Sequence, residues 1–236
     1  MRALARAKRT KKMNNIQTQN LVDVDLIDRL LRQRRTLRPR FSLPLSPEQA
    51  YNALKTAVEV EVEMRYRKPV ISSEYEYCID QAARFLTAPG SKFGLALMGT
   101  PGNGKTTLAK AICALVDALN IYEPTEKSRR RCRIEMFNAK HIVRLYRNNA
   151  EAWERLCSTP KLAIDDFGEE PVEVMDYGNV SNPLIDLLSK RYDDQLLTII
   201  TTNVPNNDIR KLYGDRIADR FNEMMQVIIF TNKSFR

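Results

Sequence analysis

No window of this 236-residue chain approaches the roughly 18 consecutive apolar residues of a membrane-spanning helix. The N-terminus has no apolar core of the kind that marks a secretory signal. Its basic, Arg-containing start is compatible with an organelle transit peptide, but Asp23, Asp25 and Asp28 follow soon after. Cysteine is scarce: Cys78, Cys113, Cys132 and Cys157 form no close pair, which argues against a zinc site and against a disulfide frame. They read as reduced thiols of a cytoplasmic protein. The lone His141 and the lone Trp153 lie in a helical stretch and read as packing residues. There are no internal repeats and no low-complexity tracts.

Charge is unevenly spread. The net charge of +9 comes from residues 1–40, which hold twelve Lys/Arg against three Asp, while the remainder is balanced at 26 of each sign. A basic arm on a neutral domain fits nucleic-acid phosphates, and it equally fits a solvated tail.

The most informative stretch is Gly99-Thr100-Pro101-Gly102-Asn103-Gly104-Lys105-Thr106, which satisfies G-x-x-x-x-G-K-[ST]. It follows an apolar run, Phe93–Met98, that reads as a buried strand, and it precedes a good helix opening at Thr107. Gly102 and Gly104 let backbone N–H groups face a phosphate, and the helix N-terminus adds partial positive charge there. Lys105 would reach the β- and γ-phosphates of ATP, and Thr106 would hold Mg²⁺.

The rest of the chain fits around that unit. Residues 21–35 read as a short amphipathic helix with Val22, Leu26 and Leu30 on one side, acids first and arginines last. It either docks on the core or presents an apolar face to a partner. Pro39 and Pro44 mark a linker. Ser46-Pro47-Glu48-Gln49 is a capping box opening a helix with Tyr51, Leu54, Val58 and Val62 on one face, ended by Pro69. A second box, Ser73 to Glu76, opens a helix carrying Cys78, Ala82 and Phe85. These breaks divide the chain into an arm and linker (1–45), a helical segment (46–73) and a main domain (74–236). Strands are expected at 93–98, 133–137, 162–165, 196–201 and 226–230, with helices between. That alternation predicts a five-stranded parallel sheet flanked by helices, an α/β fold.

A P-loop needs a second acid beside it. Leu162-Ala163-Ile164-Asp165-Asp166 supplies an apolar strand ending in two carboxylates. Asp165 fits the metal-associated position and Asp166 the base that orients attacking water. The run Leu196–Thr202 ends at Asn203, which would face the γ-phosphate if its strand lies beside the P-loop strand. Arg216 and Arg220 are four apart and share a helix face. From there one of them could reach a neighbouring subunit's phosphate; the pattern also suits a solvent-facing helix with Asp/Arg pairs.

Gly99–Thr106, Ile164-Asp165-Asp166-Phe167-Gly168, Thr201-Thr202-Asn203, Asp215-Arg216 with Asp219-Arg220, and Ser234-Phe235-Arg236 occur in the order seen in DnaC/IstB-type AAA+ ATPases. Over residues 74–236 the chain resembles that family, and within it bacterial or phage DnaC-like helicase loaders. The resemblance implies an ATPase using ATP and Mg²⁺. The P-loop residues Gly99, Thr100, Pro101, Gly102, Asn103, Gly104, Lys105, Thr106 and Thr107 would bind nucleotide, with Asp165 as Walker B, Asn203 as sensor 1, Arg220 as the arginine finger and Arg236 as sensor 2. It further implies self-association through the ATP sites, a DnaB-like replicative helicase as partner, and loading of that helicase onto single-stranded DNA.

Two departures stand out. Asp166 replaces the Glu common in AAA+ proteins, and only six residues follow Phe230, too few for a helical lid. An IstB-like transposition ATPase that binds duplex DNA and a transposase is the nearest alternative; a P-loop small-molecule kinase and a nucleotide-dependent adaptor are others. Lys127–Arg133 is either a phosphate-contacting or a solvated loop. The acidic insertion Glu169–Pro183 is poorly suited to phosphate contact.

Overall fold

The computed structural model describes residues 23–34, 40–88, 90, 92–124, 129–171, 173–176 and 179–235. The chain divides after Pro39 into two compact units. In the first, helix α1 (Val24–Arg34) opens with Asp23 Oδ1 accepting from the Leu26 N–H at 3.0 Å and carries an Arg32–Asp28 ion pair one turn apart. Its apolar residues Val24, Leu26, Ile27, Leu30 and Leu31 are exposed. The basic residues 1–20 lie outside the described residues.

The second unit opens with α2 (Pro47–Glu63) and α3 (Ser73–Thr87). The Ser46–Gln49 capping box forms in full, with Ser46 Oγ and Gln49 Oε1 each accepting from the other residue's N–H. The second cap is one residue earlier than the sequence suggested. Ser72, extended at φ −80°, is the N-cap and accepts from the Tyr75 N–H, so Ser73 is already helical and no reciprocal acid closes a box. Helix α2 also stops well before Pro69, in a turn at Met64–Tyr66 with Tyr66 left-handed at φ 57°.

From there the chain alternates: β1 (Gly94–Gly99), α4 (Lys105–Ala118), hairpin β2 (Tyr122–Pro124) with β3 (Arg129–Arg131), β4 (Glu135–Asn138), α5 (Ala139–Asn148) and α6 (Ala150–Ser158). Then follow β5 (Lys161–Phe167), hairpin β6 (Val174–Asp176) with β7 (Asn179–Ser181), α7 (Pro183–Asp193), β8 (Leu197–Thr202), α8 (Asn206–Tyr213), α9 (Asp215–Met224) and β9 (Met225–Phe230). The main sheet has five parallel strands in the order β4-β5-β8-β1-β9. These are the five expected strands. The two hairpins were not legible in the sequence. Arg129–Arg131 pair back onto Tyr122–Pro124 and the Cys132 N–H donates to Ile121 O, so the second sheet strand begins at Glu135 and not at Arg133.

Alternation along each strand splits the interior in two. Leu95, Leu97 and Ile199 face a core shared with Leu54, Val58, Ile79, Leu108 and Ile112 of α2, α3 and α4. Ala96, Met98, Ile164 and Ile200 face the other core, with Ile142, Leu187, Ile217 and Phe221 of α5, α7 and α9. Both faces of the sheet are covered, as parallel sheets require. Helices α2 and α3 thus pack within the same compact unit as the sheet.

One buried cation stitches two strands at their start. Arg191 of α7 is fully buried and donates to Thr198 Oγ1 at 2.8 Å, to Thr159 O at 2.7 Å and to Leu197 O. Desolvation pulls its pKa down to about 9. Replacing it with Ala strips three buried acceptors of their donor and opens a void. Arg191→Ala should cost about 3 kcal/mol or more of unfolding free energy, read by urea titration.

Candidate active site

Parallel strands place their loops at one end of the sheet, and ligands of open α/β sheets bind there. Here β8 lies between β5 and β1, so Asp165 near the end of β5 meets the loops after Gly99 and Thr202. A cavity of about 670 Å³ lies at this end, lined by Pro101–Thr107, Asp166 and Asn203, with Tyr75, Lys140, Glu169 and Phe235 also at its wall.

The loop after β1 is shaped by glycines with positive φ, Gly102 at 86° and Gly104 at 96°. Gly104 is also the N-cap of α4 and offers no side-chain cap, so the first N–H groups of the helix stay available to an anion. A Cβ at Gly104 would come within 2.8 Å of the Tyr75 ring, so the position demands glycine twice over. Lys105 is buried at the base of the loop; its ammonium donates to Gly99 O, Thr100 O and Asn103 Oδ1 at 2.7–3.1 Å.

The loop is held from outside by residues that the motif does not announce. Tyr75 Oη donates to Gly104 O at 3.0 Å, and Asn232 Nδ2 donates to Asn103 O at the same distance. Asn103 Nδ2 reaches Phe230 O at 3.3 Å, and the Phe235 N–H donates to Gly102 O at 3.0 Å. The segment after β9 is therefore one wall of the loop. Arg236, assigned to sensor 2 by resemblance, lies outside the described residues.

The acids converge as the motif order implies. Asp165 Oδ1 accepts from Thr106 Oγ1 at 2.8 Å and from Thr201 Oγ1 at 2.6 Å. A hydroxyl and a carboxylate oxygen side by side below a phosphate loop are the hard oxygen donors that Mg²⁺ prefers, so the residues fit that ion. Asp166 is left-handed at φ 55°, a strained region for a non-glycine residue. Its N–H donates to Thr201 Oγ1 at 3.0 Å and its Oδ2 accepts from Asn138 Nδ2 at 3.1 Å. Burial, then the Asp165 charge and the Glu169 charge, push the Asp166 carboxyl above the usual range, while the Asn138 bond pulls it back. Asn203 follows β8 directly and faces the same cavity.

Sequence reasoning missed Asn138, Thr201, Tyr75 and Asn232. It also missed the wall built by the α2–α3 connection, where Arg65, Arg67 and Lys68 join Lys105 and Lys140 to outnumber Asp166 and Glu169. This excess of positive charge suits a polyphosphate. Thr201 lies in the Thr201-Thr202-Asn203 motif, which gave it no role of its own; of the rest, only Asn138, ending a strand and capping a helix, carries a readable signal.

The two arginines of α9 part company. Arg220 is 17 % exposed, pairs with Asp193 at 3.2 Å and lies over the Tyr192 ring, 4.8 Å from its centroid. Arg216 is exposed, and neither lines the cavity of its own chain.

Asn138→Asp keeps the α5 cap but replaces the donor to Asp166 with a repelling carboxylate. We expect unfolding to stay cooperative but to cost about 1 kcal/mol less at neutral pH, checked by urea titration.

No family model and no curated protein matches the chain. Among solved structures it is similar to the DnaC helicase loader, at 22 % identity and a TM-score of 0.54, covering 77 % of this chain and 98 % of that one. It is also similar to DnaI, at 18 % identity and a TM-score of 0.54, covering 75 % of this chain and 94 % of that one. Among the described residues, no helix is long and apolar enough to cross a membrane. The chain shares the α/β fold of the DnaC and DnaI structures, here a five-stranded parallel sheet covered by helices on both faces with the Gly99–Thr106 loop following β1.

Proposed function

We propose that this protein is an ATPase that works between subunits and acts as a DnaC-like loader, using ATP turnover to change its grip on a DnaB-like replicative helicase and deliver it to single-stranded DNA. The observation that carries the ATPase reading is the meeting of Thr106, Asp165 and Thr201 on one carboxylate oxygen, beneath a cavity walled by Lys105, Asp166 and Asn203. The loader reading is supported by the fold shared with DnaC and by the order of the five motifs.

The residues divide the work. The α4 N-terminus and Lys105 bind and orient the triphosphate. Thr106 and Asp165 would hold Mg²⁺, which would supply positive charge to offset the charge that develops on the phosphate. Asp166 accepts a proton from the attacking water, and Asn203 orients that water. Neither Arg216 nor Arg220 lines the cavity of its own chain, so the α9 arginine is assigned to the site of a neighbouring copy. Arg216 is the better placed of the two, because Arg220 must first leave Asp193 and Tyr192.

Lys105→Ala removes a charge-assisted donor and should weaken ATP binding by about tenfold to a hundredfold, measured by fluorescent-nucleotide titration; unchanged affinity would end the P-loop assignment. Arg216→Ala and Arg220→Ala should each bind ATP normally. The one acting in trans loses turnover alone and regains part of it when mixed with Lys105→Ala subunits, which still donate their arginine. We expect that behaviour from Arg216; absence of rescue for both refutes sharing of sites. Phosphate release stimulated by single-stranded DNA, and helicase retained by a Lys105-intact, Asp165→Asn protein, test the loader reading separately.

A further inference from the structure

The turn that follows Asp166 is fastened to the corner between α8 and α9 by contacts that phosphate binding does not require. Phe167 is fully buried and stacks on Tyr213, with centroids 4.6 Å apart and planes at 21°, and on Phe221 of α9 at 6.4 Å. Gly168 turns the chain at φ 96°, and its N–H donates to Glu170 Oε2 at 2.8 Å. The other Glu170 oxygen accepts from the Tyr213 hydroxyl. Glu170 and Tyr213 are 5 % and 4 % exposed, and the carboxylate has no ion pair among the described residues.

A buried carboxylate without a cation is costly, and two apolar side chains would fill this space more cheaply. Its two bonds nevertheless have a definite mechanical effect. One end grips Gly168, two residues after the strained Asp166, whose C=O accepts from the Glu169 N–H at 3.1 Å to close the turn. The other end grips Tyr213, the last residue of α8. Next comes Gly214, left-handed at φ 81° with nothing near its Cβ position, and then α9 with Arg216 in its first turn. Burial, the Glu170 charge and the hydrogen bond to Glu170 all push the Tyr213 phenol far above its ordinary pKa, so it remains a donor.

We propose that Glu170 and Tyr213 are positioning residues that lock the Asp166 turn to the α8–α9 corner, so that engagement of Arg216 with a neighbouring subunit is transmitted to the Asp166 of the same chain. The geometry brings together a base in a strained conformation, a glycine joint beside the trans arginine, and one phenol–carboxylate bond between them. The inference rests on the ATPase reading above and deepens it.

The test uses the full chain. Tyr213→Phe keeps the aromatic stack and removes only the hydroxyl; Glu170→Gln keeps the volume and can satisfy one of the two donors. Each should lower turnover at saturating ATP about tenfold, with nucleotide affinity within about twofold of wild type. The double variant should be no worse than the poorer single, because both remove the same link. In mixtures, Lys105→Ala subunits carrying Tyr213→Phe should also be poorer arginine donors than Lys105→Ala alone. Turnover untouched by either variant, parallel loss of affinity and turnover, additive losses in the double variant, or full donor strength in the mixture each overturns the coupling. Glu170→Gln carries the same test if Tyr213→Phe melts below the assay temperature. A wild-type protein without ATP turnover overturns the ATPase reading and this inference together; normal wild-type turnover with indifferent variants overturns this inference alone.

Discussion

One carboxylate oxygen holds the site together. Asp165 Oδ1 accepts a hydrogen bond from the Thr106 hydroxyl at the start of α4 and another from the Thr201 hydroxyl near the end of β8. Three elements converge on that atom, and they can do so only because β5 and β8 are neighbours and β8 lies next to β1. The parallel arrangement aligns the C-terminal ends of these strands, and the two-sided helical cover makes the arrangement stable. If the Asp165 node is lost, Thr106 and Lys105 still form a phosphate loop, but that loop has no fixed relation to the acid that completes its chemistry.

Around this node the structure spends polar interactions on rigidity. The phosphate loop is braced by Tyr75, Asn232 and Phe235, while Asp166 is held in an unfavourable backbone conformation by Asn138 and Thr201. Fixed donors and acceptors need little rearrangement when charge develops on a substrate, which is where electrostatic catalysis draws its strength. The same logic extends outward through Glu170 and Tyr213 to α9. The site and the surface that would meet a neighbour are therefore parts of one braced assembly.

Much of this was legible because its signals are local. The Gly99–Thr106 run, the apolar strands ending in Asp165 and before Asn203, and the Ser46 capping box are patterns over a few residues, and the sheet adopts the five strands they announce. The errors were also local in kind. The Ser72 cap was displaced by one residue because adjacent serines look alike in sequence, and only one of them is extended. The β2–β3 hairpin was hidden in a run of arginines that gives no strand alternation. Asn138, Thr201 and Tyr75 escaped because an amide, a hydroxyl and a phenol become part of a site only through what they face.

The chain's own order of residues determined the class of fold, the phosphate loop, the pair of acids and the helix that bears two arginines. These follow from periodicity and short spacing, which backbone geometry imposes within one element at a time. Tertiary structure alone decided the partners: Thr106 meets Asp165 across 59 residues, Asn103 meets Phe230 across 127, and Arg220 is folded down on α7 while Arg216 stands clear. Such pairings depend on which strands lie side by side and which helix faces turn inward. That is settled by burying two apolar cores on one sheet at once, a condition on the whole chain that no short stretch of it contains.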